Sequence, residues 1–170
     1  MITGPVGVGK STVLGEAARL LREAGVPGAS LDLQDVEGVW PPPPDDPWNE
    51  RISHRNLASV WANFKAAGAD RLLLARVLEA RSLMWRIRVA VPGAAISVVR
   101  LRAPADVLAQ RIRHREAGRD PTWYLGAAAY LVRSMERREV GDYVIDTSGR
   151  SPADVAQEAL TLTGWLPKRE

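Results

Sequence analysis

The chain has 170 residues, of which 46% are hydrophobic, and this suits one domain whose core is large enough to fold alone. It has no cysteine and only two histidines, which excludes disulfides, cysteine nucleophiles and thiolate zinc sites and argues against histidine-based metal sites. The net charge is only +3, and arginines alternate with acids along the predicted helices, which argues against nucleic acid as the main partner.

Strand-like apolar runs alternate with helical patterns along the chain. This alternation predicts βαβ units, a parallel sheet and helices on both of its faces. The predicted strands are 2–3, 29–32, 71–75, 96–101 and 143–146. The predicted helices are 10–24, 52–67, 80–89, 105–117, 122–140 and 152–163. We predict a single α/β domain spanning residues 1–170.

The first predicted strand and helix are joined by Gly4-Pro5-Val6-Gly7-Val8-Gly9-Lys10-Ser11, which fits the phosphate-loop pattern G-x-x-x-x-G-K-[ST]. Glycines allow consecutive backbone N–H groups to point at phosphate oxygens, and the helix N-terminus adds to this anion site. Lys10 is predicted to reach the β- and γ-phosphates, and Ser11 to ligate Mg²⁺. The predicted nucleotide contacts are Gly4, Val6, Gly7, Val8, Gly9, Lys10, Ser11, Thr12 and Arg111.

The alternative for this motif is a glycine-rich turn before an ordinary helix. The chain has only three lysines against twenty arginines, so a lysine at the required position is not explained by composition. Only three residues precede Gly4, whereas strands usually have about five. We expect either a shortened first strand or a natural start upstream of Met1.

Membrane and secretory features are not apparent in the sequence. No apolar run approaches the roughly 18 residues of a membrane span, and a phosphate loop at residue 4 leaves no room for a signal peptide. We expect a cytoplasmic protein without a membrane partner. The oligomeric state stays open.

The segment from Gly38 to Glu50 contains Trp40, four consecutive prolines and Trp48. Prolines fix the backbone and lack an N–H donor, which predicts a stiff loop. Either the segment is a packed connector anchored by its tryptophans, or an insertion of about 36–56 forms a wall of an acceptor site at the carboxyl ends of the strands. Further candidates for that pocket are Asn49, Arg51, His54 and Asn56, whereas Leu57, Trp61 and Phe64 are more simply core.

Asp32 ends the second predicted strand, at the sheet edge where the phosphate loop lies. A carboxylate there is suited to accept the proton of an attacking hydroxyl or to hold Mg²⁺, and Asp35 is the second choice. The alternative role for either residue is capping of a turn. The third predicted strand is followed by Arg76 and Glu79 instead of a Walker B acid; these two either face the acceptor or pair with each other.

The predicted helix 105–117 carries Arg111 and Arg115 on one face, and Arg119 follows it. Guanidinium groups suit the charge that phosphoryl transfer spreads over oxygens, so we predict a mobile cover, or lid, of about 111–135 with Arg111 and Arg115 catalytic. The alternative is a solvated arginine face paired with Asp106 or Glu116. Weaker candidates are Arg133 and Arg137. Residues 146–150 are candidates to hold the nucleotide base, or Ser151 caps the last helix.

On these residues the chain resembles the P-loop small-molecule and nucleoside-phosphate kinases. It is similar to adenylylsulfate kinase, gluconate kinase and chloramphenicol phosphotransferase, and to actinobacterial ATP-binding proteins labelled adenylylsulfate-kinase-like. The likeness rests on Gly4–Ser11, on Leu31-Asp32, on Asp106, Arg111 and Arg115, and on the closing run Val144-Ile145-Asp146-Thr147-Ser148-Gly149 with Ser151-Pro152.

The resemblance implies a P-loop NTPase three-layer sandwich with a five-stranded parallel sheet ordered 2-3-1-4-5, an arginine-bearing lid and ATP–Mg²⁺ as donor. Such kinases often have D-x-D at the end of strand two, where this chain has Gln34 as its second member. The function we predict is ATP-dependent phosphorylation of a small hydroxylated or phosphorylated molecule. The alternatives are a P-loop ATPase or switch with a macromolecular partner, or a nucleotide-binding module that has lost catalysis.

Overall fold

The computed structural model describes residues 1–167. Its strands are β1 Ile2–Thr3, β2 Ala29–Asp32, β3 Leu72–Ala75, β4 Val99–Arg102 and β5 Tyr143–Asp146. Its helices are α1 Lys10–Glu23, α2 Glu50–Ala66, α3 Met84–Ala90, α4 Ala105–Arg115, α5 Thr122–Arg137 and α6 Pro152–Leu162. Two short 3₁₀ turns cover Leu33–Val36 and Arg81–Leu83.

The five strands form one parallel sheet in the order β2-β3-β1-β4-β5, which confirms the predicted topology. Ile2 of the central strand lies opposite Ala75 on one side and Val99 on the other. Asp32 is also opposite Ala75. The carboxyl ends of β1, β2 and β3 therefore meet at one edge, which brings the phosphate loop and Asp32 together.

Two apolar cores cover the two faces of the sheet. One contains buried residues of α1 and α6, and the other contains buried residues of α2, α3 and α5. Within β3, Leu73 belongs to the first core and Leu74 to the second, because successive side chains of a strand point to opposite faces. A continuous apolar run such as Leu72–Ala75 is what a strand buried on both faces requires.

The first strand has only two residues, although it occupies the centre of the sheet. Thr3 is fully buried and its Oγ1 accepts a hydrogen bond from the backbone N–H of Leu78 at 2.8 Å. Gly4 follows at φ 149°, and a Cβ there would lie 2.5 Å from the carbonyl oxygen of Leu101. Glycine is therefore required where the chain leaves the sheet against β4.

Some predicted boundaries were wrong. The fourth strand covers 99–102 instead of 96–101, and the predicted helix 80–89 is divided between the second 3₁₀ turn and α3. The 3₁₀ turn Leu33–Val36 was not predicted; it forms because the Asp32 side chain accepts from the N–H of Gln34 at 3.2 Å. The helix predicted to reach residue 140 ends at Arg137, just before Glu139 takes a positive φ of 47°.

Within residues 1–167, none of the helices has the length and apolar character needed to cross a membrane.

Candidate active site

The phosphate loop closes against α4. Gly7 has a φ of 81°, and a Cβ there would lie 2.8 Å from Cγ1 of Ile112. Gly9 is the N-cap of α1 with a φ of 99°, so α1 begins at Lys10, as the motif predicts. A left-handed backbone at these positions is costly for residues with a Cβ. The glycines therefore allow the loop to fold tightly around the helix N-terminus.

The side chain of Lys10 lies across this loop. Its Nζ donates to the carbonyl oxygens of Gly4 at 3.2 Å and Pro5 at 3.1 Å. Burial lowers the Lys10 pKa from 10.5 to about 8; Asp32 opposes this effect, whereas Arg115 and Arg76 add to it. An anion bound at this point would offset both the cost of burying the Lys10 charge and the repulsion of Lys10 by Arg115 and Arg76.

This pKa predicts a pH-dependent affinity for nucleotide. Below about pH 8 the free protein carries a charged Lys10, but above it Lys10 is neutral and must take up a proton when phosphate binds. The Kd of Mg·ATP should therefore be flat below that pH and rise by up to about tenfold per pH unit above it. Isothermal titration calorimetry from pH 7 to 9.5 measures both the affinity and the proton uptake.

The matched control for this profile is Lys10→Arg, because arginine stays charged over the whole range. That variant should bind nucleotide more weakly but with a flat profile up to pH 9.5. An affinity of the unmutated protein that does not change between pH 7 and 9.5 would contradict the assignment of Lys10 to the phosphates.

Ser11 and Asp32 are in direct contact at the entrance of the loop. The Ser11 hydroxyl donates to Oδ2 of Asp32 at 2.5 Å, and the other carboxylate oxygen caps the 3₁₀ turn through Gln34 N–H. Asp32 therefore fulfils the capping role and also presents an oxygen to the loop. A hydroxyl and a carboxylate oxygen are hard ligands of the type that Mg²⁺ prefers, so these residues fit the predicted metal site.

Arg111 connects the phosphate loop to the turn between β5 and α6. Its guanidinium donates to Val8 O at 3.3 Å, to Thr147 Oγ1 at 2.9 Å and to Thr147 O at 3.0 Å. These three bonds place Arg111 in the wall of the site, so the prediction of Arg111 as part of a mobile cover needs correction. We infer that it positions the loop beside the nucleotide.

Removal of this link should be measurable in stability as well as in binding. Arg111→Ala leaves Thr147 Oγ1 and Val8 O without this donor, and we expect a loss of about 1–3 kcal/mol in the free energy of unfolding. Urea denaturation measures it, and the Kd of Mg·ATP should rise in parallel. The control is Arg113→Ala, which removes an exposed arginine from the same helix. Equal effects of the two substitutions would contradict the positioning role.

Arg115 lies at the end of α4 and faces the same space. Its Nε donates to Oε1 of Glu116 at 2.7 Å, as one predicted alternative required, and its guanidinium carbon lies 5.1 Å from the ring centre of Tyr124. Arg115 is half exposed, so it is less tightly held than Arg111. Arg115 lines the cleft together with Arg111.

The two charged residues that follow β3 do not pair with each other. Arg76 pairs with Glu37, and both are largely buried. Burial also lowers the Arg76 pKa, with Asp32 acting in the opposite direction. Glu79 accepts from the Tyr130 hydroxyl at 2.6 Å, from Ser134 Oγ at 3.1 Å and from Arg138 at 3.2 Å. The alternative that they pair with each other was therefore wrong, and both residues line the cleft described below.

The proline-rich segment is held by polar residues. Asp46 is buried and its Oδ2 accepts from the N–H groups of Arg51 and Ile52 at the start of α2. The Asn49 side chain donates to Val39 O. Trp40 is 91% exposed and Trp48 70% exposed, so the prediction of two tryptophans as buried anchors was wrong.

Most of the polar candidates near this segment have structural partners. Arg51 pairs with Asp45, His54 Nδ1 lies 2.5 Å from Glu50 O, and Asn56 donates to Val36 O. The structure thus places them in the local framework and not in an acceptor pocket. Leu57 and Trp61 are core residues and Phe64 packs against them, as predicted.

The loop opens into a cleft of about 1150 Å³ at the carboxyl edge of the sheet. Its lining residues are divided here into two groups, called the nucleotide half and the acceptor half after the functions proposed below. The nucleotide half comprises Val6–Val13, Arg111, Arg115, Glu116, Tyr124, Thr147, Arg150, Pro152 and Val155. The acceptor half comprises Gln34, Glu37, Trp48, Glu50, Arg76, Val77, Glu79, Leu83, Trp123, Ala127, Tyr130 and Leu131.

Several predicted residues are not in this lining. Among residues 1–167, the weaker candidates Arg119, Arg133 and Arg137 lie outside the cleft lining, as do Asp35 and Trp40. Gly4 and Asp32 are also outside it, and Asp32 is connected to the cleft through its contact with Ser11. Ser151 caps α6 through the N–H of Asp154, which agrees with its capping alternative. Sequence reasoning missed Glu37 and the aromatic residues of α5, although the helical spacing of Trp123, Ala127 and Tyr130 could have indicated one shared face.

Comparison with known proteins now places this arrangement in a family. The family model described as the AAA domain (AAA_18) matches residues 1–141. The chain belongs to this family. The matched part includes the phosphate loop, Asp32, Arg111 and Arg115 but neither β5 nor the turn after it. Among curated proteins, none matches the chain in sequence.

Solved structures with the same fold as this AAA domain include small-molecule kinases. A gluconokinase from Sinorhizobium meliloti 1021 is 22% identical with a TM-score of 0.61, covering 94% of this chain and 87% of its own. An APS kinase from Mycobacterium tuberculosis, in complex with AMPPNP and APS, is 20% identical with a TM-score of 0.66, covering 96% and 95%. The Deinococcus radiodurans tunicamycin resistance protein is 20% identical with a TM-score of 0.67, covering 97% and 94%. At these identities the likeness establishes the P-loop kinase fold.

Proposed function

We propose that the protein is an ATP-dependent phosphotransferase that phosphorylates a small molecule at a hydroxyl or on a phosphate. The observation that carries this proposal is the contact of Ser11 with Asp32 beside the partly buried Lys10, at the entrance of a cleft with room beyond the phosphate loop. The volume of about 1150 Å³ slightly exceeds the 300–1,000 Å³ of ordinary ligand pockets, which suits two substrates side by side.

The nucleotide half supplies the groups that hold ATP. The N–H groups of the loop and the N-terminus of α1 face the phosphates, and Lys10 provides the charge between them. Ser11 and Asp32 would hold Mg²⁺, which when bound neutralises charge on the β- and γ-phosphate oxygens. Arg111 keeps the loop against the turn after β5, and Thr147 and Arg150 line the space left for the base.

In the transfer step the acceptor hydroxyl gives its proton to Asp32. Its oxygen forms a bond to the γ-phosphorus as the bond from that phosphorus to the departing ADP oxygen breaks. Lys10 and Arg115 stabilise the charge on the transferred group, because fixed positive charges in a partly desolvated site act strongly. Movement of Arg115 toward the phosphates would also reduce the access of water and favour transfer over hydrolysis.

The test is acceptor-dependent release of ADP. The protein with Mg·ATP alone should turn over slowly, and addition of the correct acceptor should raise the rate markedly. A rate stimulated only by a macromolecule would favour the ATPase or switch alternative instead. Arg76 follows β3 directly, where a Walker B acid would be expected. This replacement favours one further candidate, a nucleotide-binding module without catalysis. Tight Mg·ATP binding without ADP release for any acceptor would support that candidate.

A further inference from the structure

We propose that the phosphate acceptor is a ring-bearing alcohol without an anionic group, held flat against the aromatic side chains of the acceptor half. This inference rests on the proposed function and narrows it to one substrate class. Two independent features of the acceptor half carry it: the exposed aromatic surface on its walls and the pairing of its charges.

The aromatic surface comes from α5 and from the proline-rich segment. Trp123, Ala127 and Tyr130 follow the spacing of one helix face, and all three line the cleft. Trp123 is 62% exposed and Tyr130 48%, with the small Ala127 between them. Trp48 lines the same half from the segment before α2. Large aromatic side chains left open to a concave site are characteristic of ligand contact, because a flat ring can bury them by stacking.

These aromatic residues are not needed for the core. Trp48, Trp123 and Tyr130 belong to neither apolar core, whereas Leu131, one position along α5, is buried in the second. α5 therefore packs on the core through other side chains than Trp123 and Tyr130. Trp123 and Tyr124 pack in a T-shaped arrangement with ring centres 5.0 Å apart, and Trp123 stays 62% exposed.

The charges of the acceptor half are already paired. Its lining contains three carboxylates, Glu37, Glu50 and Glu79, and one cation, Arg76, and each carboxylate is in an ion pair with an arginine. Arg76 is largely buried and already paired with Glu37, so a phosphate or carboxylate would have to break that pair and leave Glu37 without it. Breaking a buried ion pair is strongly unfavourable.

The other two carboxylates are also fixed. Glu50 pairs with Arg86, and Glu79 holds the Tyr130 hydroxyl in place. The remaining cations of the cleft, Lys10, Arg111, Arg115 and Arg150, are all in the nucleotide half. The cations of the lining other than Arg76 thus come from the start of α1, from α4 and from the turn after β5, whereas Trp48, Trp123 and Tyr130 come from the segment before α2 and from α5.

The experiment compares uncharged ring-bearing alcohols with anionic counterparts; only the benzyl alcohol pair keeps the same free hydroxyl, so that pair isolates the effect of the anionic group. The pairs are adenosine with AMP, cytidine with CMP, and benzyl alcohol with 4-(hydroxymethyl)benzoate; gluconate serves as a ringless anion. ADP release is measured at saturating Mg·ATP. We expect the uncharged member to have a kcat/KM at least about tenfold higher, equivalent to about 1.4 kcal/mol.

Variants then test the aromatic wall with the best acceptor. Trp123→Ala and Trp48→Ala should each raise the acceptor KM by about tenfold, the usual size of a lost aromatic anchor, and leave the KM for ATP within about twofold. Trp40→Ala is the matched control, since Trp40 lies outside the cleft and should change neither constant.

The outcomes separate the two proposals. Faster transfer to AMP, CMP, the benzoate or gluconate than to the uncharged alcohols would overturn this inference and leave the phosphotransferase intact. An unchanged acceptor KM in Trp123→Ala and Trp48→Ala would also overturn it. If Mg·ATP binds but no compound raises ADP release, the result contradicts the proposed phosphotransferase function. The inferred acceptor class, which rests on that function, is then contradicted as well.

Discussion

Substitution of Lys10 by alanine should reduce acceptor-dependent ADP release by about 10³-fold or more, because a preorganised charge aimed at the transferred group is among the largest contributions to catalysis. The same change should raise the Kd of Mg·ATP, since Lys10 is the cation folded across the phosphate loop. The measurements are steady-state ADP release with a coupled assay and calorimetric titration of nucleotide.

The free protein should nevertheless stay folded. The Lys10 pKa is lowered from 10.5 to about 8, so at neutral pH the buried charge costs about 3 kcal/mol, and the cost disappears as the pH rises from about 8 to 10.5. Lys10→Ala should therefore have a Tm in the absence of nucleotide at least equal to that of the unmutated protein at pH 7.

The matched control is Lys65→Ala, which removes an exposed lysine from the far end of α2. It should leave ADP release, nucleotide affinity and Tm unchanged. If Lys10→Ala instead binds Mg·ATP as tightly as the unmutated protein, the phosphate loop is not the nucleotide site and the proposed function loses its basis.

Substitution of Asp32 by asparagine should lower the transfer rate by about 10²–10⁴-fold, the usual range for loss of a general base. Asparagine keeps an oxygen that can cap the turn through Gln34 N–H, so the fold should be retained. Nucleotide affinity should change by only several-fold, because Lys10 and the loop remain. Single-turnover transfer with the best acceptor and a Mg²⁺ titration measure the two effects separately.

Asp35→Asn is the comparison for this prediction, since Asp35 is exposed on the same turn, three positions after the carboxylate that accepts from Ser11. It should transfer phosphate at the unmutated rate. Equal rates in Asp32→Asn and Asp35→Asn would refute the assignment of Asp32 as the proton acceptor and return Asp32 to a purely capping role.

The parts of the site that the sequence predicted well are those built from neighbouring residues. The glycines, Lys10 and Ser11 all lie within the eight consecutive residues Gly4–Ser11. The backbone conformation of this stretch follows from the positions of its glycines, which lack a Cβ. Asp32 was also predictable, because a strand ending in a carboxylate places it at the carboxyl edge of a parallel sheet. The contact of Asp32 with Ser11, 21 positions away, agrees with that expectation.

Residues whose role depends on a distant partner were less predictable. Arg111 was expected to cover the phosphates, but Thr147, 36 positions away, supplies acceptors that hold it in the wall. One prediction for Arg76 was an ion pair with Glu79, three positions further along the chain. Its partner in the structure is Glu37, from the preceding βα unit. An arginine has many acids within its reach, and the chain order alone does not say which of them the fold brings close.

The amino-acid sequence by itself determined the phosphate loop, the alternation of strands and helices, and the two-sided burial of the sheet, because these follow from local backbone preferences and from the period of apolar residues. Only the tertiary structure decided which charges are paired and which aromatic faces stay open. Trp40 and Trp48 are close in the chain, yet one points away from the cleft and the other lines it. That difference arises from packing between elements far apart in sequence, which no local pattern encodes.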